Sequence, residues 1–322
     1  APLNAEAALV FSRWKNARTS AEAFEALAAR YQELLNVPGD LAERDFRDLV
    51  AIDCFEEIDR HVIRGLVHAM STRTVSASDV LGCVRQRRQS HWYPTYADIY
   101  QAIAFATEFQ QALSEANLAM SSLAEGVKRY VGSWYRLDQL YRKFVLHYRR
   151  AGQSSLLGDL FDLVENRYAN SFVRPVNDAW QDQLAKVEGW NVPGQMRQAD
   201  FYREHAARFR RQDQKVAVII SDALRYEAAE EALRRIRSLD RFDAELTPMI
   251  ASLPSYTQLG MAALLPHRAL EMSASGDGAI LADGEPTAGL QARERRLAAG
   301  RDGDRARALS AADVLAMRTD DG

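Results

Sequence analysis

The chain has 322 residues, of which 47% are hydrophobic and 26% charged, with a formal net charge of -3. That length holds two domains with substantial cores, and the small acidic excess excludes broad nucleic-acid or membrane binding through charge alone. No apolar run approaches eighteen residues, and the start Ala1-Pro-Leu-Asn-Ala-Glu6 has neither a basic n-region nor a continuous apolar core. A membrane span and a secretory signal peptide are therefore not expected, and the expected location is cytoplasmic. Cys54 and Cys83 lack CxxC spacing and read as buried, reduced thiols.

Residues 1 to about 205 read as almost wholly helical. Thr19-Ser-Ala-Glu22 has capping-box spacing and opens a helix whose Phe24, Leu27, Ala28, Tyr31, Leu34 and Leu35 form one apolar stripe, closed by Pro38-Gly39. Further helices are expected across 40–71, with Phe46, Leu49, Ile52, Phe55 and Ile58 inward, and from Ser78 to about Ser90. Others should span roughly 95–125, 127–150, 156–172 and 175–188, with Pro94, Gly152 and Pro193-Gly194 marking loops. No fixed repeat emerges, so the region reads as several antiparallel helices and not as a solenoid.

Two features here invite a sharper meaning. Arg85-Gln-Arg-Arg88 followed by His91-Trp92-Tyr93 interleaves basic and aromatic side chains, which suits phosphate contacts and base stacking, although a basic helix end before aromatic packing is the commoner case. Arg208-Phe-Arg-Arg211 reads likewise as a solvated helix end. His61, His68, His91, His147 and His205 stand singly without i+3 or i+4 ligand partners, as surface or satisfied core histidines do.

Past residue 212 the pattern changes. Val216-Ala-Val-Ile-Ile-Ser221 has the β-branched content and length of a central parallel strand buried on both faces. It leads into Asp222-Ala-Leu-Arg225-Tyr-Glu227 and then a helix with Ala229, Ala232, Leu233 and Ile236 on one face, expected to pack back on the sheet. A carboxylate at the carboxyl end of such a strand is where an open α/β sheet places its chemistry. An Asp there is also a common cap or turn former. Residues 221–227 contain no Gly-rich phosphate loop and no neighbouring acidic pair, which counts against a receiver or nucleotide-binding domain.

About thirty residues on, Ser255 and Gln258 have capping-box spacing at the start of another helix, with Thr257 in its first turn near unpaired N–H groups that favour an anion. Phe242–Leu246 alternates as a second strand ending near Pro248, and Ala279–Ala282 reads as a third. The Arg293 to Arg318 tail favours helix, with Ser310 as N-cap of a last helix over 311–317.

Ile219-Ile-Ser-Asp-Ala-Leu-Arg-Tyr-Glu227 and Leu253-Pro-Ser-Tyr-Thr-Gln-Leu-Gly-Met-Ala-Ala-Leu-Leu-Pro-His267 resemble the PglZ proteins of bacterial BREX phage-defence systems, a branch of the alkaline phosphatase superfamily. A weaker resemblance runs upstream through Trp134-Tyr135-x-x-Asp138, Tyr141-Arg142, Val164-Glu165, Tyr168-x-Asn170 and Asn177 to Gln181. With the helical pattern, it implies an α-helical N-terminal region over 1–205 plus a partial α/β domain of alkaline-phosphatase-like type over 212–322. The implied activity is a metal-dependent phosphatase or phosphodiesterase with two zinc ions. By the same resemblance, Asp222 matches the first metal ligand, and Thr257 the nucleophile and a further ligand. A divalent cation lowers a hydroxyl's pKa so that alkoxide forms, and a second about 4 Å away steadies the departing oxygens. Arg225 is placed to clamp a phosphate oxygen. Ser255 is the rival nucleophile, though its capping role already accounts for it. Implied partners are other BREX complex proteins, with nucleic acid met through the complex and no membrane.

The chain also departs from that pattern. Two zinc ions take about six or more protein ligands, rich in His and carboxylate. No histidine follows His267, and the remaining candidates, Asp277, Asp283, Glu285, Asp302, Asp304 and Asp313, lie in surroundings that read as solvated loops and helix faces. Together with the missing initiator Met, this gives the expectation of a truncated domain, with an incomplete metal centre and uncovered apolar surface. Two functions stay open: a phosphatase-type subunit of a defence complex, or a non-catalytic interaction and scaffold module of the same complex.

Overall fold

A computed structural model describes residues 5–17, 19–299 and 306–317. The chain forms two compact units, one of residues up to 121 with 132–182 and the other of 122–131 with residues from 183 onward. The first unit is helical: α1 (Ala5–Asn16), α2 (Ala21–Leu34), α3 (Val37–Leu41), α4 (Glu56–Ser71), α5 (Ala77–Arg87) and α6 (Tyr93–Glu115). After a segment that carries α7 (Leu123–Arg129) and belongs to the second unit, it resumes with α8 (Tyr135–Ala151), α9 (Ser154–Arg167) and most of α10 (Arg174–Leu184).

Helical spacing of apolar side chains builds the first core. Ile58, Val62, Ile63 and Leu66 of α4, Ile99, Ile103 and Phe109 of α6, Leu137, Leu140 and Phe144 of α8, and Leu157, Leu160 and Val164 of α9 are all buried. The ends are set locally. Ser76 caps α5 by accepting the Asp79 N–H at 3.2 Å, and Gly152, left-handed at φ 62°, ends α8. The upstream motif residues clasp α8 to α9: the Tyr141 and Tyr168 rings stack at 3.6 Å, Tyr141 donates to Glu165 at 2.6 Å, and Tyr168 donates to Asp138 at 2.7 Å. Burial, then the Glu165 carboxylate, pushes the Tyr141 hydroxyl up.

Several expectations change here. Ser20, at the N-cap of α2, makes no capping bond and instead donates to the Ala17 and Trp14 carbonyls, so the capping box is absent. Helix α2 stops at Leu34, because Asn36 turns left-handed at φ 48°; Pro38 and Gly39 lie inside α3. Leu27, Tyr31, Leu34 and Leu35 are 43–67% exposed, so only Phe24 and Ala28 of that stripe reach the core. The stretch 40–71 divides into the end of α3, a 3-10 turn at Phe46–Leu49 and α4, which leaves Ile52 exposed.

The basic and aromatic cluster divides between core and surface. Arg87 is fully buried, donating through Nε to Asp59 at 3.1 Å and through Nη1 to the Val50 and Ile52 carbonyls at 3.1 and 2.6 Å; its Nη2 also pairs with Asp59. Tyr100 donates to the same carboxylate at 2.6 Å. His91 lies 3.0 Å from Glu25 and edge-on to Phe24, while Trp92 is buried. Arg87 and Trp92 are thus taken up by the core, while Arg85 and Arg88 stay exposed at the end of α5. Cys54 and Cys83 are free and half-buried, and burial pushes the Cys83 thiol up to about 11.

The second unit contains β1 (Met196–Arg197), α11 (Ala207–Arg211), α12 (Tyr226–Arg237), β2 (Met249–Ile250), α13 (Thr257–Ala263), β3 (Leu270–Met272), β4 (Ile280–Ala282), β5 (Glu285–Pro286), α14 (Leu290–Ala298) and α15 (Ala311–Ala316). β1 and β2 pair in parallel, Met196 opposite Met249, and β3, β4 and β5 form an antiparallel meander. Helix α13 packs on β4, and Ala262 and Ala263 of the helix and Ile280 and Ala282 of the strand are buried. Ser310 and Asp313 make the expected capping box of α15.

The strand expected at Val216–Ser221 is irregular. Among the described residues nothing pairs with it, and Ile219 is 94% exposed. A central parallel strand is held by ladders on both edges and layers on both faces, and the local pattern supplies neither. Residues 242–246 are likewise outside any ladder, with β2 beginning after Pro248. Ala232 and Ile236 of α12 stay exposed, so that apolar face is not packed on a sheet. The described residues are mainly helical with two small sheets.

Candidate functional site

Asp222 sits in a tight turn between the irregular stretch and α12. Ala223, next to it, is left-handed at φ 54°, a conformation costing a non-glycine residue roughly 1–2 kcal/mol. Such local cost is often found where a functional side chain has to be aimed. Thr257 opens α13, and its Oγ1 donates to Asp222 Oδ2 at 3.2 Å, with Oδ1 at 3.5 Å. Two exposed side chains 35 residues apart thus share one hydrogen bond.

The capping box expected around them is absent. Tyr256, not Ser255, is the N-cap of α13, and no side chain caps it. At seven residues α13 is about two turns long, too short for the dipole site expected at its start. Ser255 is exposed and lies outside the Asp222–Thr257 pair. Arg225, the N-cap of α12, places Nε 3.4 Å from Glu227 Oε1. Glu227 is fully buried in the first turn of α12 and was not singled out from the sequence. The available signal was an acidic residue at a helix start, directly after the Asp222 turn.

The segment that carries Thr257 is tied down by three side chains, of which Trp190 and Gln198 lie outside the motifs quoted above. Trp190 Nε1 donates to the Ala251 carbonyl at 2.8 Å, Tyr256 Oη donates to the Gly278 carbonyl at 3.2 Å, and the Gln198 amide bonds both Ser252 and Gly260. Nothing in the local pattern around 190 or 198 points to this, because the contacts span 22 to 62 residues.

The other acidic candidates do local work. Asp283 accepts the N–H groups of Arg268 and Ala269, both at 2.9 Å, and pairs with Arg296; the backbone donors, then Arg296, hold its carboxyl down at about 2. Asp277 accepts the Ala279 N–H, and Asp313 caps α15. Asp302 and Asp304 lie outside the described residues. Among the described residues no group of three or more His, Cys, Asp and Glu is arranged to hold a metal ion. Asp222 and Thr257 offer two oxygen donors, which suits one side of a hard or borderline divalent cation and falls short of a two-zinc ligand set.

Residues 201–322 match the family model described as the BREX system PglZ alkaline phosphatase-like domain. The chain belongs to the PglZ family. It is 30% identical over its whole length to the alkaline phosphatase-like protein BrxZ of Escherichia coli O9:H4 (strain HS), of which it spans 38%. It is 27% identical over 86% of its length to the alkaline phosphatase-like protein PglZ of Bacillus cereus (strain H3081.97), of which it spans 33%. It therefore covers between a third and two fifths of these relatives. No solved structure matches the chain.

Proposed function

We propose that this PglZ-family chain contributes the nucleophile-bearing part of an alkaline-phosphatase-like phosphoester hydrolase, acting as a component of a BREX phage-defence complex. The observation that carries the reading is the Thr257–Asp222 hydrogen bond of 3.2 Å, which joins the two stretches that resemble the family. Asp222 orients the Thr257 hydroxyl and would hold a divalent cation beside it, zinc by the resemblance. Such a cation, when bound, lowers the hydroxyl's pKa and draws charge from the ester. In this reading Thr257 Oγ1 gives up its proton to solvent and bonds to phosphorus while the ester oxygen leaves with its bonding electrons and takes up a proton from water; a second water then splits the phosphothreonine, restoring the Thr257 hydroxyl and releasing phosphate. Arg225, on the same turn as Asp222, would steady a phosphate oxygen after leaving Glu227. The other ligands would come from segments that the relatives have beyond this match.

The second reading, a non-catalytic scaffold module of the same complex, is favoured by the uncovered apolar side chains of residues 216–220 and of α2. One experiment separates the two. Zinc binding and hydrolysis of p-nitrophenyl phosphate and bis-p-nitrophenyl phosphate are measured on this chain and on one extended to the relatives' length. The hydrolase reading expects turnover in the extended chain, lost by at least about a thousandfold in Thr257→Ala while zinc is retained. An extended chain that is inert and binds no zinc decides for the scaffold.

A further inference from the structure

Gln198 lies just past β1, outside the residues that match the family model, and half-buried. Its side-chain Oε1 accepts the Ser252 N–H at 3.1 Å, and its Nε2 donates to the Gly260 carbonyl at 3.3 Å. Both partners are backbone groups with a single hydrogen-bonding role, so the orientation of the amide follows from them. Ser252 lies five residues before Thr257, and Gly260 three residues after it, on the neighbouring turn of the same helix face.

The parallel pair Arg197–Ile250 ends here, and the amide takes over where the ladder stops. It satisfies an N–H on one side and, on the other, a carbonyl of the last turn of α13, where carbonyls run out of partners within the helix. The fit is close: a Cβ on Gly260 would stand 3.3 Å from Gln198 Nε2. One side chain therefore fixes both limbs of the segment that presents Thr257.

Resting on the hydrolase reading above, we infer that Gln198 is a positioning residue for the Thr257 nucleophile, holding the 252–260 segment so that Oγ1 stays aimed at the reacting phosphorus. The chemistry is sensitive to such placement, since an error of about 1 Å at a reacting group costs on the order of a hundredfold in rate.

The test has two readouts. Hydrogen exchange of residues 252–264 is measured in the 322-residue chain and in its Gln198→Ala variant. Turnover of bis-p-nitrophenyl phosphate with zinc is measured in the extended chain for wild type, Gln198→Ala, Gln198→Glu, Thr257→Ala and Ser310→Ala. The expected result is faster exchange at Ser252 and through α13 in Gln198→Ala, with kcat down about tenfold or more and KM within twofold. Gln198→Glu keeps the acceptor for Ser252 but loses the donor to Gly260, and should fall between wild type and Gln198→Ala. Ser310→Ala, which removes the α15 capping box, should lower the melting temperature and leave kcat within twofold. Unchanged exchange in Gln198→Ala overturns the inference whatever the activity. So does faster exchange with unchanged kcat while Thr257→Ala is dead, which would leave Gln198 a structural tether. A wild type no faster than Thr257→Ala overturns the hydrolase reading itself, and the positioning role with it.

Discussion

Helices α4, α6, α8 and α9 bury nearly every apolar side chain that their spacing turns inward, whereas the equally apolar stretch 216–220 leaves Ile219 94% exposed. Both are rich in branched aliphatic residues; they differ in where their backbones find partners. A helix satisfies its N–H and C=O groups within one segment and needs only a neighbour for its stripe. A strand needs other strands for every rung of its ladder, and those are remote in sequence. Apolar content alone therefore does not tell how much of a segment's stabilisation its own unit can supply.

The sharpest way to test that contrast lies in the helical unit. Arg87→Leu should cost about 3–5 kcal/mol, measured by urea unfolding, because it leaves Asp59 buried without its cation and two carbonyls without a donor. Next, Leu160→Ala should cost about 2–5 kcal/mol, while Ile219→Ala should stay within about 0.5 kcal/mol. A loss above about 1 kcal/mol for Ile219→Ala would show that the stretch is covered in the folded chain and would break the comparison.

Smaller effects probe the Asp222 turn and the β4–β5 turn. Ala223→Gly should stabilise by about 0.5–1 kcal/mol in the same assay, since glycine takes the left-handed conformation without the Cβ penalty but costs more chain entropy. Asp283, held down at about 2, contributes stability that is fully present above the usual carboxylate range. Lowering the pH from about 5 towards 2 should therefore shrink the melting-temperature difference between wild type and Asp283→Ala. A difference that grows on acidification would contradict the assigned hydrogen bonds.

Particular residues show how much was legible beforehand. Most of the helices from Ser78 to Leu184 and the Ser310 cap were readable from local rules, although 116–122, expected within a helix over 95–125, lies outside any helix; a resemblance placed Asp222 and Thr257 in one site, and the two share a hydrogen bond. The caps proposed for Thr19-Ser20 and Ser255 were not made, because competing carbonyls took the Ser20 hydroxyl and the chain turned one residue later at Tyr256. Within the basic cluster, Arg85 and Arg88 stay exposed as a helix end should, but Asp59, 28 residues away, turns Arg87 inward.

By itself, then, the sequence determined the helical character of the first unit and the family, and it singled out Asp222 and Thr257, which the fold brings within hydrogen-bonding distance. Those features rest on near-neighbour periodicity or on long motifs, which a linear string records directly. Only the tertiary structure decided that Gln198 and Trp190 hold the Thr257 segment, that Glu227 is buried beside Arg225, and that residues 216–220 stand without a ladder. Each of these depends on groups that are distant along the chain or at a particular depth in the fold, and distance and depth exist only once the chain has folded.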